Sequence, residues 1–150
     1  MAISIAAVVA SPSAASRTVS LVDTVLAAAR EEGASTELVN IGALDIAAAD
    51  GRKAEEYEGD TARVLALIDS ADAIVFGMPV YRAGIPGNMK NLLDIVPRGK
   101  YDGHAQALRA KPVVVVATGA SDHHFLALDS MAEMMRGFWL RDDAWLLAAR

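Results

Sequence analysis

The chain contains no cysteine, so disulfides, thiolate metal sites and cysteine nucleophiles are excluded from the start. It also lacks any uninterrupted apolar stretch near the ~20 residues that a membrane span requires. Its hydrophobic residues make up 53% of the total, but they fall in short runs broken by charges and glycines. There is no basic excess either. Lys and Arg number 14 against 19 Asp and Glu, a net charge of −5, and the basic residues are scattered, which argues against nucleic acid as a partner. The opening "MAISIAAVVASPSAAS" has no basic n-region, so its apolar run reads as a buried strand rather than a secretory leader. A soluble, cytoplasmic protein with no membrane association is expected. No internal repeat or linker interrupts the chain. At 150 residues a single domain over 1–150 is expected, long enough to bury roughly two-thirds of its unfolded surface.

What is present is an alternation of two periods. Strand-like runs are "SIAAVVA" (4–10), "TELVN" (36–40), "AIVFG" (73–77), "PVVVVA" (112–117) and, more weakly, "AWLLA" (144–148). Most show no in/out alternation, as befits parallel strands covered on both faces. Between them, Val22, Val25, Leu26 and Ala29 predict one buried helical stripe, and Val64, Leu65 and Ile68 a second. Ile85, Met89, Leu92, Leu93 and Val96 predict a third, and Leu128, Met131, Ala132, Met135 and Trp139 a fourth. This pattern implies an α/β fold: a doubly wound parallel sheet of five strands with helices on both faces, in three layers. The segment "GALDIAAADGRKAEEYEGD" (42–60) reads as a solvated loop. The chain stops after the fifth strand-like run, so a final covering helix is missing from the pattern.

In such a sheet, ligands sit beyond the carboxyl ends of the strands where strand order reverses. The loop after the first strand, "SPSAASRTVS", offers Ser11, Ser13, Ser16, Arg17 and Thr18 ahead of a helix. Hydroxyls, free amides and a cation at a helix N-terminus suit a phosphate monoester, while helix capping alone is the plainer alternative. Neither GxxxxGK followed by Ser or Thr nor GxGxxG occurs, which excludes the familiar triphosphate and dinucleotide loops. After the third strand come Met78, Pro79, Val80, Tyr81 and Arg82, then Gly84, Pro86 and Gly87. Pro79 stiffens the exit from the strand, Tyr81 presents a ring, Gly84 and Gly87 permit close approach or positive φ, and Pro86 suits a first helical turn. A rigid wall of this kind fits a planar heteroaromatic ring, although an ordinary turn with an exposed tyrosine is the alternative. After the fourth strand, "ATGASDHH" gives Thr118, Gly119, Ala120 and Ser121, small residues whose amides can meet ring carbonyls and developing negative charge. The adjacent His123 and His124 suit capping or packing better than metal binding, since neighbours in sequence do not share a helix face. His104 reads as loop surface. Together the three loops describe a site for a mononucleotide with a planar ring.

These segments resemble the NADPH-dependent FMN reductase family of flavodoxin-like proteins. "ASPSAASRT" is similar to that family's FMN phosphate loop, "MPVYRAGIPGNMKNLLD" to the loop and helix around the flavin, and "ATGASDHHFLALD" to the third flavin-contacting loop. The resemblance implies a flavodoxin-like strand order of 2-1-3-4-5. It implies FMN as cofactor, held by Ser11, Ser13, Ser16, Arg17 and Thr18 at the phosphate. Met78, Pro79, Val80, Tyr81 and Arg82 are then expected beside the ring, and Thr118, Gly119, Ala120 and Ser121 at its other edge. The implied reaction is hydride transfer from NADPH or NADH to FMN, with no side chain acting as acid or base and no metal. Electrons then pass to free flavin, a quinone or a partner flavin-dependent monooxygenase. Two departures stand out: Gly119-Ala120 where family members often have Gly-Gly, and the missing final helix. The alternatives are a flavodoxin-like FMN electron carrier and a flavin-free binding domain of the same fold. The large side chains of "MMRGFWL" (134–140) and the uncovered sheet margin predict a homodimer or homotetramer.

Overall fold

A computed structural model describes residues 2–13, 15–97, 111–120, 125–138 and 145–149. Expectations placed on Ser121, His123, His124, His104, Trp139 and Leu140 lie outside the described residues. Parallel strands β1 (Ser4–Val9), β2 (Ser35–Asn40), β3 (Ala73–Pro79) and β4 (Val113–Thr118) stand in the order β2-β1-β3-β4. Beyond them β5 (Trp145–Ala149) pairs parallel to β4. Val8 faces Val39 on one side and Phe76 on the other, and Phe76 in turn faces Val115. Strand order reverses between β1 and β3. The chain leaves β1 outward to β2 and crosses back to β3 on the opposite flank of β1, which opens a crevice at the ends of those two strands.

The helices divide the two faces by residue parity, because successive strand side chains point to opposite sides. Helix α1 (Arg17–Glu31) covers one face, where its Val22 and Leu26 meet Ala7, Val9, Val75 and Val116. Helices α2 (Gly59–Ser70), α3 (Gly87–Ile95) and α4 (Phe125–Phe138) cover the other. There Val64, Ile68, Met89, Leu92, Met131 and Met135 pack with Ala6, Val8, Ile74 and Phe76. Gly77 fixes how closely α1 approaches: a β-carbon there would lie 2.6 Å from Cγ2 of Val22. The absence of that atom lets the first turns of α1 sit directly over the end of β3. Pro86 is the N-cap residue of α3 rather than part of its first turn, with the helix starting at Gly87.

The segment 42–60 is mostly exposed, as a solvated loop would be, but part of it is anchored to the core. It carries short 3-10 turns at Ile41–Ala43 and Ala54–Glu56, and Tyr57 within it is only 4% exposed, a member of the core. Leu44, Ile46, Ala47 and Ala54 pack against the same core. Asn91 of α3 straps the segment down: its Oδ1 accepts from the Ala49 amide at 2.9 Å and its Nδ2 donates to the Ala47 carbonyl at 2.8 Å. Arg52 stacks on the Tyr57 ring and pairs with Asp50, whose carboxyl it holds well below the usual carboxylate range chiefly through that side-chain hydrogen bond. The apolar residues here follow neither helical nor strand period, so nothing in the pattern signals their burial. No helix among the described residues is long and apolar enough to cross a membrane.

Candidate functional site

A cleft of about 720 Å³ opens at the carboxyl ends of β3 and β4, beside the N-terminus of α1. Ala15, Ser16, Arg17 and Ser20 line one side, Pro79, Val80 and Tyr81 a second, and Thr118, Gly119 and Ala120 a third. The three loops singled out by sequence thus meet on one space.

On the first side, Ser16 caps α1: its Oγ accepts from the Val19 amide at 3.1 Å. Such a cap stabilises a helix by about 1 kcal/mol relative to alanine. Capping uses the lone pairs of the hydroxyl and leaves its hydrogen free to donate into the cleft, so the two readings of Ser16 are compatible. Among the described residues, no acceptor meets the amides of Arg17 or Thr18, as expected at a helix start, and Arg17 is exposed. The other expected phosphate residues stand behind this surface or beside it. Ser11 is 4% exposed, with its Oγ accepting from the Ser13 amide at 3.4 Å. Thr18 is buried, with its hydroxyl 2.6 Å from that of Thr118. Ser13 is exposed and outside the lining.

A residue that sequence reasoning missed holds the loop in shape. Asn40, the last residue of β2, accepts from the Ser11 amide at 3.1 Å and donates to the Ser11 carbonyl at 2.9 Å, holding both backbone groups of that residue. Its Oδ1 also accepts from the Gly42 amide. A β-carbon at Gly42 would lie 2.1 Å from the Ser11 carbonyl oxygen, so only glycine lets this turn back the loop so closely. A polar residue ending a strand carries no pattern of its own; its partner is 29 positions away.

The second side is a tight hairpin turn. Tyr81 and Gly84 exchange two backbone hydrogen bonds, at 3.3 and 3.0 Å. The two residues between them, Arg82 and Ala83, have φ of 53° and 59°, the left-handed pair that a two-residue turn demands. Positive φ therefore falls on Arg82 and Ala83; Gly84 and Gly87, for which close approach or positive φ was expected, show neither, since a β-carbon would meet nothing nearer than 3.6 Å at Gly84 and nothing within 4 Å at Gly87. Each such residue costs about 1–2 kcal/mol when it bears a β-carbon. Tyr81 is 51% exposed at the cleft margin. Met78, expected beside a ring, is fully buried in the core beneath the cleft, because strand alternation turns it to the α3 face. Arg82 lies outside the lining.

Thr118 ties the three loops together. Its carbonyl accepts from the Val80 amide at 2.8 Å and its hydroxyl meets that of Thr18, a bond contributing roughly 0.5–1.5 kcal/mol net. Among the described residues, Arg17 is the charged member of the lining and no carboxylate belongs to it.

The model of NADPH-dependent FMN reductases matches residues 3–141. The chain belongs to the NADPH-dependent FMN reductase family. Among its relatives is an NAD(P)H-dependent FAD/FMN reductase of Geobacillus thermodenitrificans, 30% identical over 103 residues that make up 69% of this chain and 52% of the relative. The NADH-dependent FMN reductase SfnF of Pseudomonas putida is 32% identical over 111 residues, 74% of this chain and 56% of the relative. The chain spans about half the length of these curated relatives. A solved NADH:FMN oxidoreductase, EMOB, in its apo form, superposes with a TM-score of 0.77 at 26% identity, covering 97% of this chain and 75% of that one. Within the family, the loops that give this chain its resemblance are the same three that enclose the cleft.

Proposed function

We propose that this chain is the flavin-binding body of an NAD(P)H-dependent FMN reductase. The observation that carries the reading is the composition of one cleft: among the described residues, a helix N-terminus with open amides, an arginine that meets no carboxylate, an aromatic margin and no carboxylate in the lining. A phosphorylated planar ligand fits that set. The volume, about 720 Å³, lies within the roughly 300–1,000 Å³ range of small-molecule and cofactor sites. Ser16 and Arg17 hold the phosphate, with the α1 dipole behind them. Pro79, Val80 and Tyr81 form the flat wall for the ring, and Thr118, Gly119 and Ala120 offer small-residue backbone at its other edge. Ser11, Ser13 and Thr18 shape the phosphate loop from behind, while Met78 supports the wall from the core. FMN held by these residues would supply the two-electron chemistry, with reduced nicotinamide as hydride donor. The protein orients the two rings and excludes water, with no side chain required as acid or base. Free flavin, a quinone or a partner monooxygenase then receives the electrons.

Arg17→Ala tests the phosphate assignment. It should weaken FMN roughly tenfold, the low end for a charge-assisted bond at an exposed site, and leave riboflavin, which has no phosphate, unchanged. Equal affinity of wild type and variant for FMN would refute it. The reading extends to assembly as a homodimer or homotetramer, supported by Phe125 and Leu126, which are neighbours on α4 and 51% and 40% exposed. Sedimentation should give at least a dimer at micromolar concentration; a monomer there excludes it.

A further inference from the structure

We propose that Arg82 recognises phosphate oxygens of the nicotinamide dinucleotide, making it a specificity-determining residue for the hydride donor rather than a ligand of the flavin. The inference rests on the flavin reading of the cleft.

Placement comes first. Tyr81 lines the cleft and Arg82, the next residue, does not; Arg82 is exposed, at the tip of the turn closed by Tyr81 and Gly84. The base of that turn is anchored to the sheet, since the Val80 amide donates to the Thr118 carbonyl. The guanidinium therefore springs from an anchored turn immediately beside the cleft lining. Its conformation is the second observation. A two-residue turn with positive φ at both positions favours Asn-Gly, yet here it is built from Arg and Ala at 53° and 59°. Backbone strain of this sort clusters at ligand clamps and active sites, and the long cation is what this strained position presents.

Charge supplies the third. Arg30, Arg52, Arg63 and Lys90 are each ion-paired, whereas among the described residues neither Arg17 nor Arg82 meets a carboxylate. Among the described residues there is thus one cation without a carboxylate partner inside the cleft, at the helix N-terminus, and one outside its lining, at the hairpin tip. A single phosphate monoester engages the inner one. The outer one suits a ligand whose phosphates lie well away from its reactive ring, as those of a nicotinamide dinucleotide do.

The test uses the full chain, wild type, Arg82→Asn, Arg82→Lys and Ala83→Gly, with FMN binding followed by fluorescence and NADP+ binding by calorimetry. Asn is tolerated in the left-handed region, so Arg82→Asn keeps the turn while removing the cation. It should weaken NADP+ roughly tenfold with FMN affinity unchanged. Arg82→Lys should recover part of the loss, and Ala83→Gly, which alters only the turn, should retain wild-type NADP+ affinity. The difference between wild type and Arg82→Asn should shrink as salt rises, since an exposed cation is screened. A parallel titration with NAD+ separates the donor's phosphates: loss with both dinucleotides assigns Arg82 to the diphosphate, loss with NADP+ alone to the 2′-phosphate. Unchanged NADP+ affinity in Arg82→Asn, no NADP+ binding by wild type, or a matching fall in FMN affinity overturns the proposal. Failure of wild type to take up FMN would instead defeat the flavin reading, and the same NADP+ titration on the flavin-free chain still decides the role of Arg82.

Discussion

Ala83 shows most simply how one residue can work against its own backbone. Its φ of 59° places a β-carbon where L-residues are disfavoured, and glycine at that position removes the clash at some cost in chain entropy. Ala83→Gly should therefore stabilise the fold by about 1 kcal/mol, raising Tm by roughly 2–4 °C for a chain of this size, as thermal unfolding will show. A lower Tm contradicts the assignment of strain. This strain was not legible in the sequence, where Gly84 and Gly87 drew the expectation of close approach or positive φ because glycine permits both most readily. Ser16, Arg17, Tyr81 and Thr118 were legible because residue type and position agree: hydroxyl and cation at a helix start, ring and hydroxyl at strand ends. Asn40 was not, since its role depends on a peptide unit in a distant loop.

At the level of elements, the apolar periods located the strands and helices to within a few residues, and the capping serine marked the start of α1. The least periodic segment, 42–60, is mostly exposed as expected, but its Tyr57 is buried by contacts with no local period, which the pattern did not signal. A polar clip between elements is equally silent in sequence. The amide and hydroxyl of Ser4 at the start of β1 both donate to Asp72 Oδ2 at 2.8 Å, and the Asp72 amide donates back to the Ser4 hydroxyl at 3.1 Å. The Ser4 amide, and then its hydroxyl, lower the Asp72 pKa below its ordinary value. A carboxylate depressed in the folded state contributes stability that is fully present above its unfolded pKa and lost as pH falls through the folded one. Asp72→Asn should therefore flatten the decline of Tm below about pH 4. An acid limb identical to that of the wild type shows that the clip adds nothing.

Across the whole molecule, doubly wound topology brings loops from distant parts of the chain to one crevice, and the chemistry depends on that convergence more than on any single motif. Each loop alone admits an ordinary capping or turning role, and Ser16 does cap its helix. What distinguishes the site is that three such loops share one cleft. The fold and family follow from the pattern and the match over residues 3–141, while the proposed reaction rests on the cleft. The measurement that bears most directly on it is an anaerobic absorbance titration of the purified chain with FMN, followed by stoichiometric NADPH. The account predicts saturable FMN binding and then loss of the oxidised flavin band on adding NADPH. Bound FMN that keeps its oxidised band under NADPH, or no FMN binding at all, would contradict it.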